Sequence, residues 1–164
     1  MRIAEVKLLY AYNEWANARI FSATTELDQE VFTEARRSSF SSIRDTVAHI
    51  ATSEWVWLRR WRGESPTALP AWESLSEATG LMRKLAEIEV DRRAFLGGLS
   101  DDDLSRPLAY RNFKGDGFRQ TLVEQLMHVV NHSTYHRGQL ATLFRQAGFA
   151  APTTDLIVFQ REKG

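Results

Sequence analysis

The strongest constraint on this chain is its punctuation into long segments of helical period, each opened by a capping residue or closed by glycine. Residues from about 3 to 26 place Val6, Leu9, Tyr10, Asn13, Ala16 and Ile20 at helical spacing, ahead of a polar, acidic stretch at Asp28 to Glu30. Ser42 is a candidate N-cap with Asp45 at the third position, and the series Ile43, Val47, Ile50, Trp57, Trp61 runs until Gly63 supplies a left-handed stop. Pro66 and Pro70 forbid continuation. Ser74 with Glu77 predicts a capping box for a third helix ending at Gly97 and Gly98, and Thr121 with Glu124 opens a fourth that runs to Gly148. Four such helices with two longer connections predict an all-α protein, a four-helix bundle formed by residues 1–164 as one domain.

Two segments depart from this period. PLAYRNFKGDGFRQ, between helices three and four, alternates around Gly115, Asp116 and Gly117, which predicts a small hairpin or ordered loop. The tail APTTDLIVFQREKG carries Leu156, Ile157, Val158 and Phe159, read as a short extended segment packed on the bundle.

Charge and composition then narrow the function. Lys plus Arg and Asp plus Glu both total 21, so no net field favours nucleic acid or an anionic membrane, and neither is an expected partner. The chain contains no cysteine, which removes disulfides, thiolate metal sites and a cysteine nucleophile. The first residues lack a signal-peptide apolar run and no later stretch reaches spanning length, so the expected compartment is the cytoplasm. An exposed helix face is compatible with a homodimer.

Any metal must therefore rest on His, Asp or Glu, and all four histidines fall on two predicted helices: His49 on the second, His128, His132 and His136 on the fourth. Residues four apart on a helix are about 40° apart around the axis and about 6 Å along it, so the imidazoles of His132 and His136 can converge. His128 and His136 are about 12 Å apart in rise and could hardly share an ion whose nitrogen ligands lie about 2.1 Å away. The stripe of Leu122, Leu126, Val129, Leu140 and Phe144 lies nearer His136 than His128, which selects the pair 132 and 136. A three-histidine site then requires His49, although it lies off the centre of its own helix's stripe. HSTYH lacks the internal glutamate of H-E-x-x-H, so a zincin protease is not supported.

The run LVEQLMHVVNHSTYHRGQLATLFRQAGF, followed by APTTDLIVF, resembles the DinB/YfiT-like family, whose fourth helix carries N-H-x-x-x-H-R-G-Q. SSIRDTVAHIATSEWVWLRRW is similar to that family's second helix, which contributes one histidine. The resemblance implies an up-down-down-up bundle in which His49, His132 and His136 are metal ligands and His128 is not. It implies no DNA chemistry. The wider superfamily includes metal-dependent thiol transferases and a mycothiol-dependent isomerase, and fold alone does not choose among activities.

Three neutral imidazoles leave a coordination position open, as in catalytic rather than structural sites. The expected cofactor is a divalent ion, with Zn or Ni the first candidates. The leading expectation is a metal-dependent enzyme that activates a low-molecular-weight thiol for transfer to a small electrophile; the alternatives are a hydrolase using activated water and a non-enzymatic metal-binding stress or DNA-damage-response protein. No catalytic side chain is assigned, although Asp45 and Glu54, about a turn from His49, are candidates to orient a ligand or act as a base. Arg59, Arg60 and Arg62 read as a solvated cluster favoured by the helix dipole, most of the five tryptophans as core, and Arg137 and Gln139 as packing or hydrogen-bonding neighbours of the site.

Overall fold

A computed structural model of the protein describes residues 1–163. The four long helices are α1 (Ile3–Thr25), α3 (Ile43–Trp61), α4 (Ala78–Gly97) and α6 (Leu122–Gln146). Short helices α2 (Gln29–Thr33), α5 (Asp101–Leu104) and α7 (Leu156–Lys163) decorate them. The expected caps form. Ser42 Oγ accepts from the Asp45 amide at 3.0 Å, and Glu124 Oε2 accepts from the Thr121 amide and hydroxyl at 2.8 and 2.6 Å. Gly63 and Gly148 sit at φ +86° and +85°, a region costly for residues with a Cβ, and so terminate α3 and α6.

Each long helix packs on two others: α1 and α3 both contact α4 and α6, which puts α1 and α3 at opposite corners. Cross-helix bonds and core clusters set the directions. Tyr10 donates to the Leu126 carbonyl and Arg137 to Asn13 and Asn17, so α1 and α6 run parallel. Ile20 and Phe21 share one core cluster with Ile43 and Val47, whereas Tyr10 shares the other with Leu58 and Trp61, so α3 is antiparallel to α1. Leu81 and Leu85 lie in the cluster of Ile43 and Val47, and Leu96 in that of Trp61, so α4 runs with α3. The topology is up-down-down-up.

Between the two apolar clusters lies a buried polar layer. Glu54 Oε1 accepts from Asn13 and Asn17 at 2.8 Å each and from Ser133 at 3.1 Å, while Oε2 pairs with Arg92. The same two asparagines pass the charge on, their Oδ1 atoms each accepting from Arg137 at 2.7 Å. Buried charges are tolerated only when paired and hydrogen-bonded, so this layer admits essentially one register of α6 against α1 and α3.

The segment between helices three and four is an antiparallel hairpin, β1 (Pro107–Arg111) with β2 (Gly117–Thr121), Ala109 opposite Arg119. Two expectations fail. The third long helix begins at Ala78, not after Ser74: Ser74 closes a 3-10 turn by donating to the Ala71 carbonyl at 2.9 Å, and Arg44 takes the Glu73 and Leu75 carbonyls, which a helix would need. The tail is helical, not extended. Its run of four apolar residues has no diagnostic period, and helical spacing alone lets Phe159 pack on Tyr12 and Trp15 while Glu162 accepts from Trp15 and Arg19.

Candidate metal centre

The antiparallel α3 and α6 bring His49, His132 and His136 together in the bundle. His132 Nε2 lies 3.1 Å from His49 Nε2 and 3.1 Å from His136 Nε2. One nitrogen from each ring falls within 4.8 Å of the others, a group that could hold a metal ion. Two imidazole nitrogens bound to one tetrahedral ion would be about 3.3 Å apart, so the spacing fits a shared ion with little adjustment. His136 is buried and the other two are half-buried.

The surroundings prepare these rings as neutral donors. Burial lowers His49 to about 4, assisted by the field of His136. Burial likewise lowers His132 to about 3, with contributions from His136, His49 and His128. His136 is lowered by burial, opposed by its bond to Gln139. Near neutral pH the lone pairs are free, and a cation meets little competition from protons. Gln139 Oε1 lies 2.7 Å from His136 Nδ1 and can only accept, so Nδ1 carries the proton and Nε2 presents its lone pair to the cluster. Gln139 is itself held by Ser39, 3.0 Å from its amide nitrogen. The next residue, Phe40, stacks on His49 with centroids 4.3 Å apart and meets His136 edge-on.

His128 stands apart. It lies one turn before His132, with ring centroids 5.6 Å apart, and packs against Trp57. Neither carboxylate singled out near His49 joins the site. Glu54 is 1% exposed and spends both oxygens on the buried polar layer, and Asp45 bonds Ser41 and Arg44. Among the described residues no carboxylate hydrogen-bonds to His49, His132 or His136. Arg59 and Arg62 do pair at the surface with Glu64 and Asp91, but Arg60 is buried, its guanidinium 4.7 Å over both Trp57 and Tyr110. An arginine can bury itself by stacking on aromatic faces, and its aromatic neighbour in the hairpin is distant in sequence.

The histidine cluster on a bundle of this topology defines a class of protein, and the comparisons agree. The profile of the DinB family matches residues 3–163. The chain is 35% identical over 153 residues to Protein DinB of Bacillus subtilis (strain 168), covering 90% of this chain and 88% of that one. It belongs to the DinB family. Among solved structures, a DinB-like protein from Bacillus cereus ATCC 10987 superposes with TM-score 0.74 at 20% identity, covering 93% of this chain and 97% of the other. YfiT from Bacillus subtilis, described as a probable metal-dependent hydrolase with an unusual four-helix bundle topology, superposes with TM-score 0.67 at 21% identity, covering 88% and 89%. These two share the fold. Among the described residues no helix is long and apolar enough to cross a membrane.

Sequence reasoning missed Phe40 and Ser39, which carry no motif signal. It placed Gln139 beside the site as a packing or hydrogen-bonding neighbour without naming its partner; a glutamine three residues beyond a ligand-type histidine on one helix face is the signal that could have assigned it to His136.

Proposed function

We propose that His49, His132 and His136 bind one divalent ion, Zn or Ni, and that the protein is a metal-dependent enzyme acting on a small molecule. The observation that carries this is the convergence of the three imidazole Nε2 atoms, with Gln139 accepting from Nδ1 of His136. An ion held by three imidazoles would supply an open position where a thiol or water loses its proton near neutral pH. The chain's residues hold and orient. Gln139 keeps His136 in one tautomer, Phe40 limits ring rotation of His49, and the buried layer around Glu54 locks α6 in register.

Transfer of a low-molecular-weight thiol to an electrophile is favoured over hydrolysis by what surrounds the histidines. A thiol needs no general base once its pKa is lowered, whereas hydrolysis profits from one, and among the described residues no carboxylate hydrogen-bonds to the cluster. The hydrolase reading draws on the description of YfiT. Metal-loaded protein given bacillithiol, mycothiol, glutathione or cysteine with monochlorobimane should form conjugate above the metal-free control. His49→Ala, His132→Ala and His136→Ala should each lose metal by elemental analysis, and His128→Ala should keep its stoichiometry. Metal-dependent ester or amide hydrolysis without thiol conjugation would replace transferase with hydrolase. Absence of uptake by folded protein would remove both.

A further inference from the structure

One segment beside the histidine cluster is pinned at its base and held loosely at its tip. Residues 34–42 link α2 to α3 without helix or strand. The Arg36 amide donates to the Ser41 carbonyl at 2.6 Å, which draws the two ends of a short loop together. Each end is fastened to the helix beside it. The Arg36 guanidinium donates to the Val31 and Glu34 carbonyls at 2.8 and 3.2 Å and pairs with the Glu34 carboxylate. Ser41 Oγ donates to Asp45 at 2.6 Å, and Ser42 caps α3. A surface loop with its ends this close is a self-contained unit.

The tip has far fewer ties. Arg37, Ser38 and Ser39 are exposed, and among the described residues the backbone of residues 37–40 makes no hydrogen bond. One side-chain bond joins the tip to the bundle, Gln139 Nε2 donating to Ser39 Oγ at 3.0 Å, and it is exposed. The remaining hold is the half-buried Phe40 ring, stacked on His49 at 4.3 Å and edge-on to His136 at 5.5 Å. Segments with few buried contacts and solvent-facing hydrogen bonds are the first to open in a native fold. Here the group that opening withdraws is the ring that covers two of the three converging imidazoles.

We propose that residues 36–41 form a flap, hinged at the Arg36 and Ser41 bond, that lifts Phe40 off His49 and so controls access to the histidine cluster. Hinges of this kind are a few loop positions at an element's end and need no glycine. Closure over a reacting centre excludes water, and opening admits the small molecule. That use of the flap rests on the metal-dependent activity proposed above; the lifting itself does not.

The test is the rate at which diethyl pyrocarbonate acylates each histidine in the metal-free full chain at pH 7, followed residue by residue with peptide mass spectrometry. His128, exposed and out of reach of the flap, is the internal reference. Phe40→Ala should raise the His49 rate by about 10-fold relative to His128, the weight of a stacked ring. Ser39→Ala is the discriminating variant, because it cuts the tether and leaves Phe40 in place. A lifting flap then opens more often, and His49 should react about threefold faster, the weight of one exposed hydrogen bond. A fixed cover would not respond. His49 reactivity in Ser39→Ala equal to that of wild type, or no gain in Phe40→Ala, overturns the flap. Stoichiometric Zn uptake by a protein whose His49 is indifferent to both changes sinks the flap and leaves the metal reading standing. The expected gains in a protein that takes up no Zn or Ni do the reverse.

Discussion

At the scale of single residues, the site depends on which nitrogen of each imidazole carries its proton. Gln139 decides this for His136 by accepting from Nδ1. Gln139→Ala should therefore weaken metal affinity by about 10-fold or more while stoichiometry stays at that of wild type, measured by competition with a chromophoric chelator. Equal affinity in variant and wild type would show that Phe40 and packing suffice. Glu89 presents a different residue-scale effect. Burial pushes its carboxyl up to about 8, because Arg92, the cation that opposes this, is already committed to Glu54 and Glu14, whose charges raise Glu89 further. A carboxyl with a raised folded pKa contributes stability in its protonated form, and that contribution is lost as pH rises from the unfolded value of 4.5 through about 8. Relative to wild type, Glu89→Gln should thus gain Tm between about pH 5 and 8, where its own side chain does not titrate. A wild-type-minus-variant difference that stays flat across this range in thermal melts would contradict the assignment.

At the scale of elements, α6 carries the site and α1 sets its register. Arg137 and Ser133, immediate neighbours of His136 and His132, are pinned through Asn13, Asn17 and Glu54 to α1 and α3. Removing the charge at the centre of this layer leaves Arg92 and Arg137 buried with less compensation. Glu54→Gln should therefore cost about 3–5 kcal/mol in denaturant unfolding, far more than the roughly 1 kcal/mol expected of an exposed cap such as Thr121→Ala. Equal losses for the two variants would mean that apolar packing alone holds the register. Much at this scale was legible in the chain. The Ser42 and Thr121 caps, the Gly63 and Gly148 stops and the hairpin all depend on contacts a few residues apart. The start of α4 was not, because Arg44, some thirty residues upstream, claims the carbonyls that would have extended it.

For the whole molecule, an ion held by His49 from α3 and His132 with His136 from α6 would cross-link two helices whose contact closes the bundle. Metal binding should then appear as global stability. At a free metal concentration 100 times the Kd the gain is about 2.7 kcal/mol, and it should vanish in His49→Ala and on chelation. Thermal melts across a Zn titration measure it directly, and an unchanged Tm in protein that demonstrably holds Zn would show that the unfolded chain binds the ion as well.

The chain by itself determined the four long helices, most of their ends, the hairpin and the pairing of His132 with His136, since each follows from spacing or capping inside one element. Elimination pointed to His49 as the one histidine on another helix, and the resemblance of two helices to a known family supplied its role as a ligand and the bundle's direction. Only the tertiary structure decided that Glu54 faces the core, that Arg60 is buried on Trp57 and Tyr110, and that the tail coils instead of extending. The physical reason is the same in each case. A carboxylate, a guanidinium or a short apolar run has no preferred burial of its own; it takes the one offered by partners such as Asn13, Tyr110 or Trp15, and those lie tens of residues or more away along the chain.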